Sequence, residues 1–253
     1  MIQEERFELI TAILSNKNSV TIRELVEACT VTAETIRSDL KSLEKAGILT
    51  RSHGGATKQS FHSETPYYLR EISNIAQKKA IAREAVNYIF QNDKIILDSS
   101  STSYFVAQIL PNIPLTVLTN SLRIQEELVS KDHIEVLSSG GILLRSSLCL
   151  IGKPAISMLR GYHVNKAFIS STAIHHEGGV SEPSELAIAV KRTMIEIADE
   201  VFLLMDSSKF GVRDFIQVAP VDAFNHILTD SLITNEIMEK FKGYKDRIQV
   251  CKI

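Results

Sequence analysis

Thr21 to Ala56, TIRELVEACTVTAETIRSDLKSLEKAGILTRSHGGA, constrains the fold more than any other stretch, because two helix starts, a tight turn and a Gly-Gly reversal follow one another within it. Phe7, Ile10, Ile13 and Leu14 recur at helical spacing, as do Ile22, Leu25, Val26 and Cys29, so each run carries one apolar stripe that must be covered. Thr21 followed three residues later by Glu24 is a capping-box pattern, and Thr32 stands where an N-cap is needed ahead of Ala33. Only Thr30 and Val31 lie between, which suits a helix-turn-helix. In the following helix Ile36, Leu40 and Leu43 turn inward.

Glu34, Thr35, Arg37, Ser38 and Lys41 are left on the opposite face, from which a recognition helix reaches base edges and phosphates. Arg can take two acceptors on guanine, Thr meets a hydrogen-bonding edge or a thymine methyl, and Lys neutralises phosphate. Gly47 is predicted as the helix C-cap, Ile48 to Thr50 as the opening of a strand, and Arg51, Ser52, His53, Gly54 and Gly55 as a wing tip. The glycines either permit positive φ and close approach of backbone N–H groups to a phosphate, or simply turn a hairpin. The DNA-facing set is thus Thr21, Thr32, Glu34, Thr35, Arg37, Ser38, Lys41, Arg51, His53, Gly54 and Gly55, and the partner is double-stranded DNA. A solvated helix face would account for a lone Arg or Lys, but not for caps, turn and wing together.

Charge is balanced over residues 1–60, eight basic against eight acidic, and positive only over 31–60, five against three. A positive field this local implies that affinity comes from paired copies, so a homodimer or homotetramer is expected. The 253 residues leave room for a second domain with its own core. No apolar run approaches membrane-spanning length, and Glu4 and Glu5 precede any apolar stretch, so neither a span nor a signal peptide is expected. Cys29, Cys149 and Cys251 are odd in number and widely spaced, which reads as buried apolar groups in a reducing cytoplasm.

Residues 1–57 are assigned to the winged helix-turn-helix, 58–74 to a polar linker interrupted by Pro66, and 75–253 to a second domain. There short apolar runs alternate with helical ones: Lys94 to Leu97, Leu115 to Leu118, Ile134 to Leu137, Ala167 to Ile169, Val201 to Met205 and His226 to Leu228 read as strands. That alternation is an α/β pattern with a mostly parallel sheet, in which ligands sit at the carboxyl ends of strands. Polar and small residues collect at those ends. Asp98, Ser99, Ser100, Ser101 and Thr102 lead straight into a helix, so amides, hydroxyls and a helix N-terminus converge as an anion site, most naturally for phosphate. Thr119-Asn120-Ser121 and Ser138-Ser139-Gly140-Gly141 end the next strands. One such loop is an ordinary helix cap, but three in succession imply a polyhydroxylated, phosphorylated ligand.

The run TIRSDLKSLEKAGILTRSHGGA resembles the DNA-binding signature of the DeoR family of bacterial transcriptional regulators, with Ser38 where members commonly carry a second basic residue. The second half is similar too: Leu97 to Thr102, Thr119-Asn120, Gly140-Gly141 and Asp206-Ser207-Ser208-Lys209-Phe210-Gly211 match motifs of that family's effector domains, whose fold resembles sugar-phosphate isomerases. The resemblance implies a carbohydrate-operon repressor released by a phosphorylated sugar or sugar alcohol, with Lys209 contacting the effector and Lys191 either a second cation or an exposed helix lysine. Ser99 stands where the family often has Gly, and Ser170-Ser171-Thr172-Ala173 stand where it usually has a Gly-containing loop with an acid nearby.

The related isomerases need a carboxylate base in that last loop, and none is available; Glu185 is the candidate carboxylate for a sugar hydroxyl. The effector set is Asp98, Ser99, Ser100, Ser101, Thr102, Thr119, Asn120, Gly140, Gly141, Ser170, Ser171, Glu185, Lys191 and Lys209. His175 and His176 read as a surface loop, since adjacent side chains diverge on a strand or a helix. No metal, cofactor or catalytic residue is expected. Two alternatives stay open: an isomerase-like enzyme with an appended DNA-binding module, and a constitutive DNA-binding protein.

Overall fold

The computed structural model describes the chain except residues 18, 46–48, 53, 59–64 and 186, and divides it into two units, Met1–Ser73 and Asn74–Ile253. The predicted C-cap Gly47, Ile48 at the strand opening and the wing histidine His53 lie outside the described residues.

In the first unit α1 (Gln3–Asn16), α2 (Ile22–Cys29) and α3 (Ala33–Lys45) enclose a small core. The predicted stripes supply it: Phe7, Ile10 and Leu14 from α1, Leu25 and Cys29 from α2, and Ile36, Leu40 and Leu43 from α3 are all buried. The capping box forms as read, Thr21 Oγ1 accepting from Glu24 N–H at 3.2 Å while the Glu24 carboxylate accepts from Thr21 N–H at 2.8 Å. The Thr21 N–H first, then its hydroxyl and Lys17, hold the Glu24 carboxyl down at about 2. Thr30 ends α2 in the left-handed region at φ 54°, and Thr32 Oγ1 caps α3 through Thr35 N–H at 3.2 Å. Inside, Arg6 Nε donates to Asp39 at 2.6 Å, tying α1 to the inner face of α3.

The wing is a three-stranded antiparallel sheet in the order β1 (Ser19–Thr21), β3 (Gly55–Lys58), β2 (Leu49–Ser52). The first strand was not anticipated. It explains Gly55: a Cβ there would lie 2.0 Å from Val20 O across the β1–β3 pairing. Neither Gly54 nor Gly55 is among the glycines at positive φ, so the φ argument for this pair does not hold; close backbone approach replaces it at Gly55, while a Cβ on Gly54 would meet nothing within 4 Å. Within the stretch assigned to the linker, Tyr67–Ile72 form a helix, α4, and Ile72 joins the core of the first unit.

The second unit is built on a seven-stranded, all-parallel sheet. Its strands are β4 (Lys94–Leu97), β5 (Leu115–Thr119), β6 (Ile134–Ser138), β9 (Val164–Ile169), β12 (Ala198–Leu204), β14 (His226–Asp230) and β15 (Ile248–Cys251), in the order β15-β14-β12-β9-β4-β5-β6. All but β15 were predicted. From β4 the chain winds outward through β5 and β6, returns to the far side of β4 as β9, and continues the other way through β12, β14 and β15. The winding reverses between β4 and β9, where an open parallel sheet leaves a crevice at its carboxyl edge. Ile96, Leu118, Ala167, Ile169, Leu203 and Ile227 line one face with α8 (Lys153–Leu159) and α9 (Ile188–Glu196). The helices α5 (Ile75–Val86), α6 (Ser101–Ile109) and α7 (Leu122–Leu128) pack in succession on one another.

Two antiparallel additions were not foreseen: a hairpin of β7 (Ile142–Leu144) and β8 (Cys149–Ile151), and a small sheet of β10 (Ala173–His175), β11 (Gly179–Glu182) and β13 (Ile216–Ala219). The chain closes through α10 (Asn235–Lys240). Among the described residues no helix is long and apolar enough to cross a membrane. Cys29, Cys149 and Cys251 are all buried and reduced, and burial pushes the Cys251 thiol up to about 12.

Candidate functional sites

The DNA-facing set divides by what each side chain already does. Glu34, Arg37, Ser38 and Lys41 are exposed along one face of α3, as predicted, with Thr35 half-buried beside them. Arg37 Nη1 donates to Glu34 at 3.2 Å, an exposed pair one turn apart. Thr21 and Thr32 are spent on helix caps, which leaves them structural in the free protein. Arg51, on β2, is clamped by Glu44 near the end of α3. Ile22, Arg37, Leu40, Glu44, Arg51, Ser52 and Gly55 enclose a notch of about 380 Å³ between the recognition helix and the wing. Exposed basic groups on a helix face beside a short antiparallel wing can meet base edges and phosphates together.

In the second unit the loops after β4 and β9 meet at the reversal of winding, and their polar groups interlock. Asp98 is buried; its Oδ1 accepts from Ser100 N–H at 3.1 Å and Ser103 Oγ at 2.6 Å, and its Oδ2 from Ser170 N–H at 3.0 Å. One carboxylate thus ties the β4 loop, the first turn of α6 and the β9 loop together. Ser100 caps α6 by accepting from Ser103 N–H, while Ser101 and Thr102 open the helix, buried, and Ser99 is half-buried. Lys191 reaches in from α9: it is buried, donates to Ser170 O and to Glu182, and lies 3.5 Å from Asp98 Oδ2. Of its two readings, the exposed helix lysine is excluded.

Glu182 was missed. It ends β11, is buried, and accepts from Ser171 Oγ at 3.1 Å as well as from Lys191. Glu185, the carboxylate expected here, is exposed instead, three residues further along. The sequence did carry a signal, since Gly178-Gly179 followed by Val180-Ser181-Glu182 forms the return strand of a hairpin and delivers its last side chain to the loops. The loop after β9 carries no carboxylate of its own, and Glu182 is brought to it from β11 in place of Glu185.

Lys209 approaches from the other side. Asp206 caps the short 3-10 turn Ser207–Lys209, and Asp230 accepts from Ser207 N–H at 2.7 Å, so Asp206 and Ser207 of that motif hold its shape. Lys209 Nζ lies 3.2 Å from Ser170 Oγ and 3.7 Å from Asp206 Oδ2. Where Lys191 is enclosed by acceptors, Lys209 is half-buried.

Thr119, Asn120, Gly140 and Gly141 form a second, adjoining group. Thr119 is paired with Leu97, so its loop neighbours Asp98 along the sheet edge. Thr119 Oγ1 accepts from Ser121 N–H at 3.1 Å, and Asn120 Nδ2 donates to Leu150 O at 3.1 Å, fastening the β7–β8 hairpin to the loop. Gly140 and Gly141 are exposed at φ 59° and 120°, and a Cβ on Gly141 would meet Ile151 O at 2.6 Å. Among the described residues, Thr102 Oγ1 and Asn120 Oδ1 are buried without a hydrogen-bond partner. Buried polar atoms are nearly always satisfied, so these two suit a hydroxylated ligand or water.

His175 and His176 do not diverge; their rings stack at 4.2 Å, and with Glu177 their ligand atoms fall within 4.8 Å of one another. The arrangement nonetheless suits a metal poorly. His175 Nδ1 accepts from the N–H groups of Glu177 and Gly178, which puts the proton of the neutral ring on Nε2, and Glu177 is engaged by Arg213 at 3.0 Å. Burial, then Arg213 and His176, lower the His175 pKa and keep that ring neutral.

Comparison with known proteins agrees with this division. Residues 6–61 match the DeoR-like helix-turn-helix domain, and residues 73–231 the DeoR C terminal sensor domain. An uncharacterized HTH-type transcriptional regulator of Bacillus subtilis, YulB, is 44% identical over 91% of this chain and 90% of its own. The HTH-type transcriptional repressor GlcR of Bacillus subtilis is 34% identical over 92% of this chain and 90% of its own, and the L-fucose operon activator of Haemophilus influenzae 32% identical over 92% and 94%. Among solved structures, ribose 5-phosphate isomerase A from Methanocaldococcus jannaschii aligns with a TM-score of 0.41 and 18% identity, over 54% of this chain and 55% of the other.

Proposed function

Because the chain belongs to the DeoR family of transcriptional regulators, a family of regulators rather than enzymes, we propose that it represses a carbohydrate-utilisation operon and leaves its operator on binding a phosphorylated sugar or sugar alcohol. The exposed face of α3 and the wing bind duplex DNA, used in pairs by a homodimer or homotetramer in the cytoplasm. The effector's phosphate lies at the N-terminus of α6 within reach of Lys209, and its hydroxyls meet Thr102, Asn120 and the Ser170-Ser171 loop. The relatives named as L-fucose operon activators support a carbohydrate operon as the target, and the relative named as the transcriptional repressor GlcR supports the sign chosen.

One observation carries this reading. At the reversal of winding between β4 and β9, the half-buried Lys209 lies 3.2 Å from Ser170 Oγ, and Ser170 N–H donates to Asp98, whose other oxygen accepts from Ser103 in the first turn of α6, where amides and helix dipole favour an anion. The test is a thermal-shift panel of pentose, hexose and hexitol phosphates against their parent sugars. A ligand at a hundred times its dissociation constant adds about 2.7 kcal/mol to the folded state. A shift with one phosphate but not with its parent sugar supports the reading; equal shifts with both, or none across the panel, contradict it.

A further inference from the structure

Glu44 stands near the C-terminal end of the recognition helix and lines the same notch as Arg37, Arg51 and Ser52. On charge alone, a carboxylate there opposes the approach of a polyanion. Its contacts give it another role. Oε1 accepts the backbone N–H of Arg51 at 2.9 Å, and Oε2 accepts Arg51 Nε–H at 2.8 Å. One side chain of α3 therefore fixes both the backbone and the guanidinium of the same wing residue on β2. These two bonds, the backbone one first, also hold the Glu44 carboxyl below its usual range.

The choice of Nε matters. A guanidinium has five N–H donors, and engaging the one nearest the stem leaves the terminal nitrogens as donors. Arg51 keeps 42% of its side chain exposed, so the clamp restrains the arginine without enclosing it. Arg37 is held differently: its contact to Glu34 runs through a terminal nitrogen and involves no backbone group, and Glu34 is 86% exposed, so that pair restrains less. A long side chain that is already ordered loses less rotamer freedom on binding.

We propose that Glu44 is a positioning residue for DNA binding: it holds the wing arginine, Arg51, ready for a backbone phosphate, so that removing this negative charge weakens binding to a polyanion. The proposal rests on the reading of α3 and the wing as the duplex-binding surface. Bulk electrostatics gives the opposite sign, which makes the test decisive.

The experiment titrates the full chain against a fluorescein-labelled mixed-sequence duplex by anisotropy across a salt series, for wild type, Glu44→Ala, Glu44→Gln, Arg51→Ala and the Glu44→Ala/Arg51→Ala double variant. Glu44→Ala is expected to bind roughly tenfold more weakly, the scale of one charge-assisted hydrogen bond. Its log K against log salt slope becomes shallower by about 0.9, one phosphate contact. Glu44→Gln, which keeps one acceptor oxygen, recovers part of both, and the double variant binds no more weakly than Arg51→Ala alone. Wild-type or tighter binding by Glu44→Ala, with Arg51→Ala weakened, overturns the positioning role and leaves the wing assignment intact. Wild-type affinity and slope for Arg51→Ala overturn both. Should Glu44→Ala fail to fold, Glu44→Gln decides: a slope between those of wild type and Arg51→Ala supports the proposal, and a wild-type slope overturns it.

Discussion

The exposed face of α3 and the polar frame of the second unit handle opposite charges in opposite ways. In the first, the pairs that involve DNA-facing cations lie at the surface: Arg37 and Glu34 meet with 57% and 86% of their side chains exposed. In the second, Lys191 and Glu182 meet with 10% and 5% exposed, and Asp98 beside them has 2%. Exposed pairs are weak and exchange readily, so Arg37 can trade Glu34 for a base or a phosphate at little expense. Buried pairs are a different material. Each charge there depends on its partners, and removing one strands the others in a medium that cannot solvate them. The Arg37–Glu34 pair on the α3 face is thus built to swap partners and the frame around Asp98 and Lys191 to stay fixed, with Lys209 half-buried beside Ser170.

The largest test of that contrast is Lys191→Met. It should lower the stability of the second unit by about 3–5 kcal/mol, the scale for breaking a buried ion pair from one side, while the unfolding of the first unit is unmoved. Urea titration followed by probes in each unit reads both, and adding Glu182→Gln should restore part of the loss. Retention of full stability would mean that the pair is more hydrated than its burial indicates.

Next in size, Lys209→Ala removes the half-buried cation beside Ser170 and Asp206. The fold should stay within about 1 kcal/mol of wild type, while affinity for the phosphorylated effector falls roughly 10- to 100-fold, the scale of a charged hydrogen bond, with DNA binding unchanged. A loss of DNA binding in this variant would misplace the effector site.

On the surface side, Arg37→Ala should reduce discrimination among duplexes by about 1–3 kcal/mol without altering the thermal shift produced by the effector. Equal binding of a selected operator by variant and wild type would remove Arg37 from recognition.

The smallest effect concerns acid. Glu24 in the capping box is held at about 2, below the ordinary carboxylate range, so its contribution to folding is complete at neutral pH. It is lost as the pH falls from the unfolded-state value through about 2. Wild-type thermal stability should therefore fall more steeply over that acid range than that of Glu24→Gln, and parallel curves would show that the box does not contribute.

How much was legible in the sequence follows from which forces act over short distances. Caps and helical stripes are local, so Thr21, Glu24, Thr32 and the α3 face fell where the spacing placed them. The parallel strands and their polar ends were readable for the same reason: apolar runs that stop at Asp98, Thr119 or Ser170 mark both a strand and its loop. Pairing between distant strands is not local. Nothing near Gly55 reveals that β1 pairs alongside it, and the φ argument that failed there was a local explanation of a tertiary contact. Glu182 was hidden by its three-residue partner strand β10, too short to show alternation, so the buried carboxylate was sought at Glu185 instead. The helix Tyr67–Ile72 was concealed by Pro66, which reads as an interruption yet here stands at the helix N-cap position.

On the proposed function, the frame around Asp98 and Lys191 and the exposed face of α3 serve one equilibrium. That claim is tested most directly by titrating a labelled operator duplex with the full chain in the presence and absence of the sugar phosphate that raises its thermal stability. Coupled sites typically differ by about 1–3 kcal/mol, so the apparent DNA dissociation constant should rise about 5- to 150-fold when the effector is saturating, and Lys209→Ala should abolish that rise. An unchanged dissociation constant at saturating effector would contradict the claim and leave two units that share a chain but not a function.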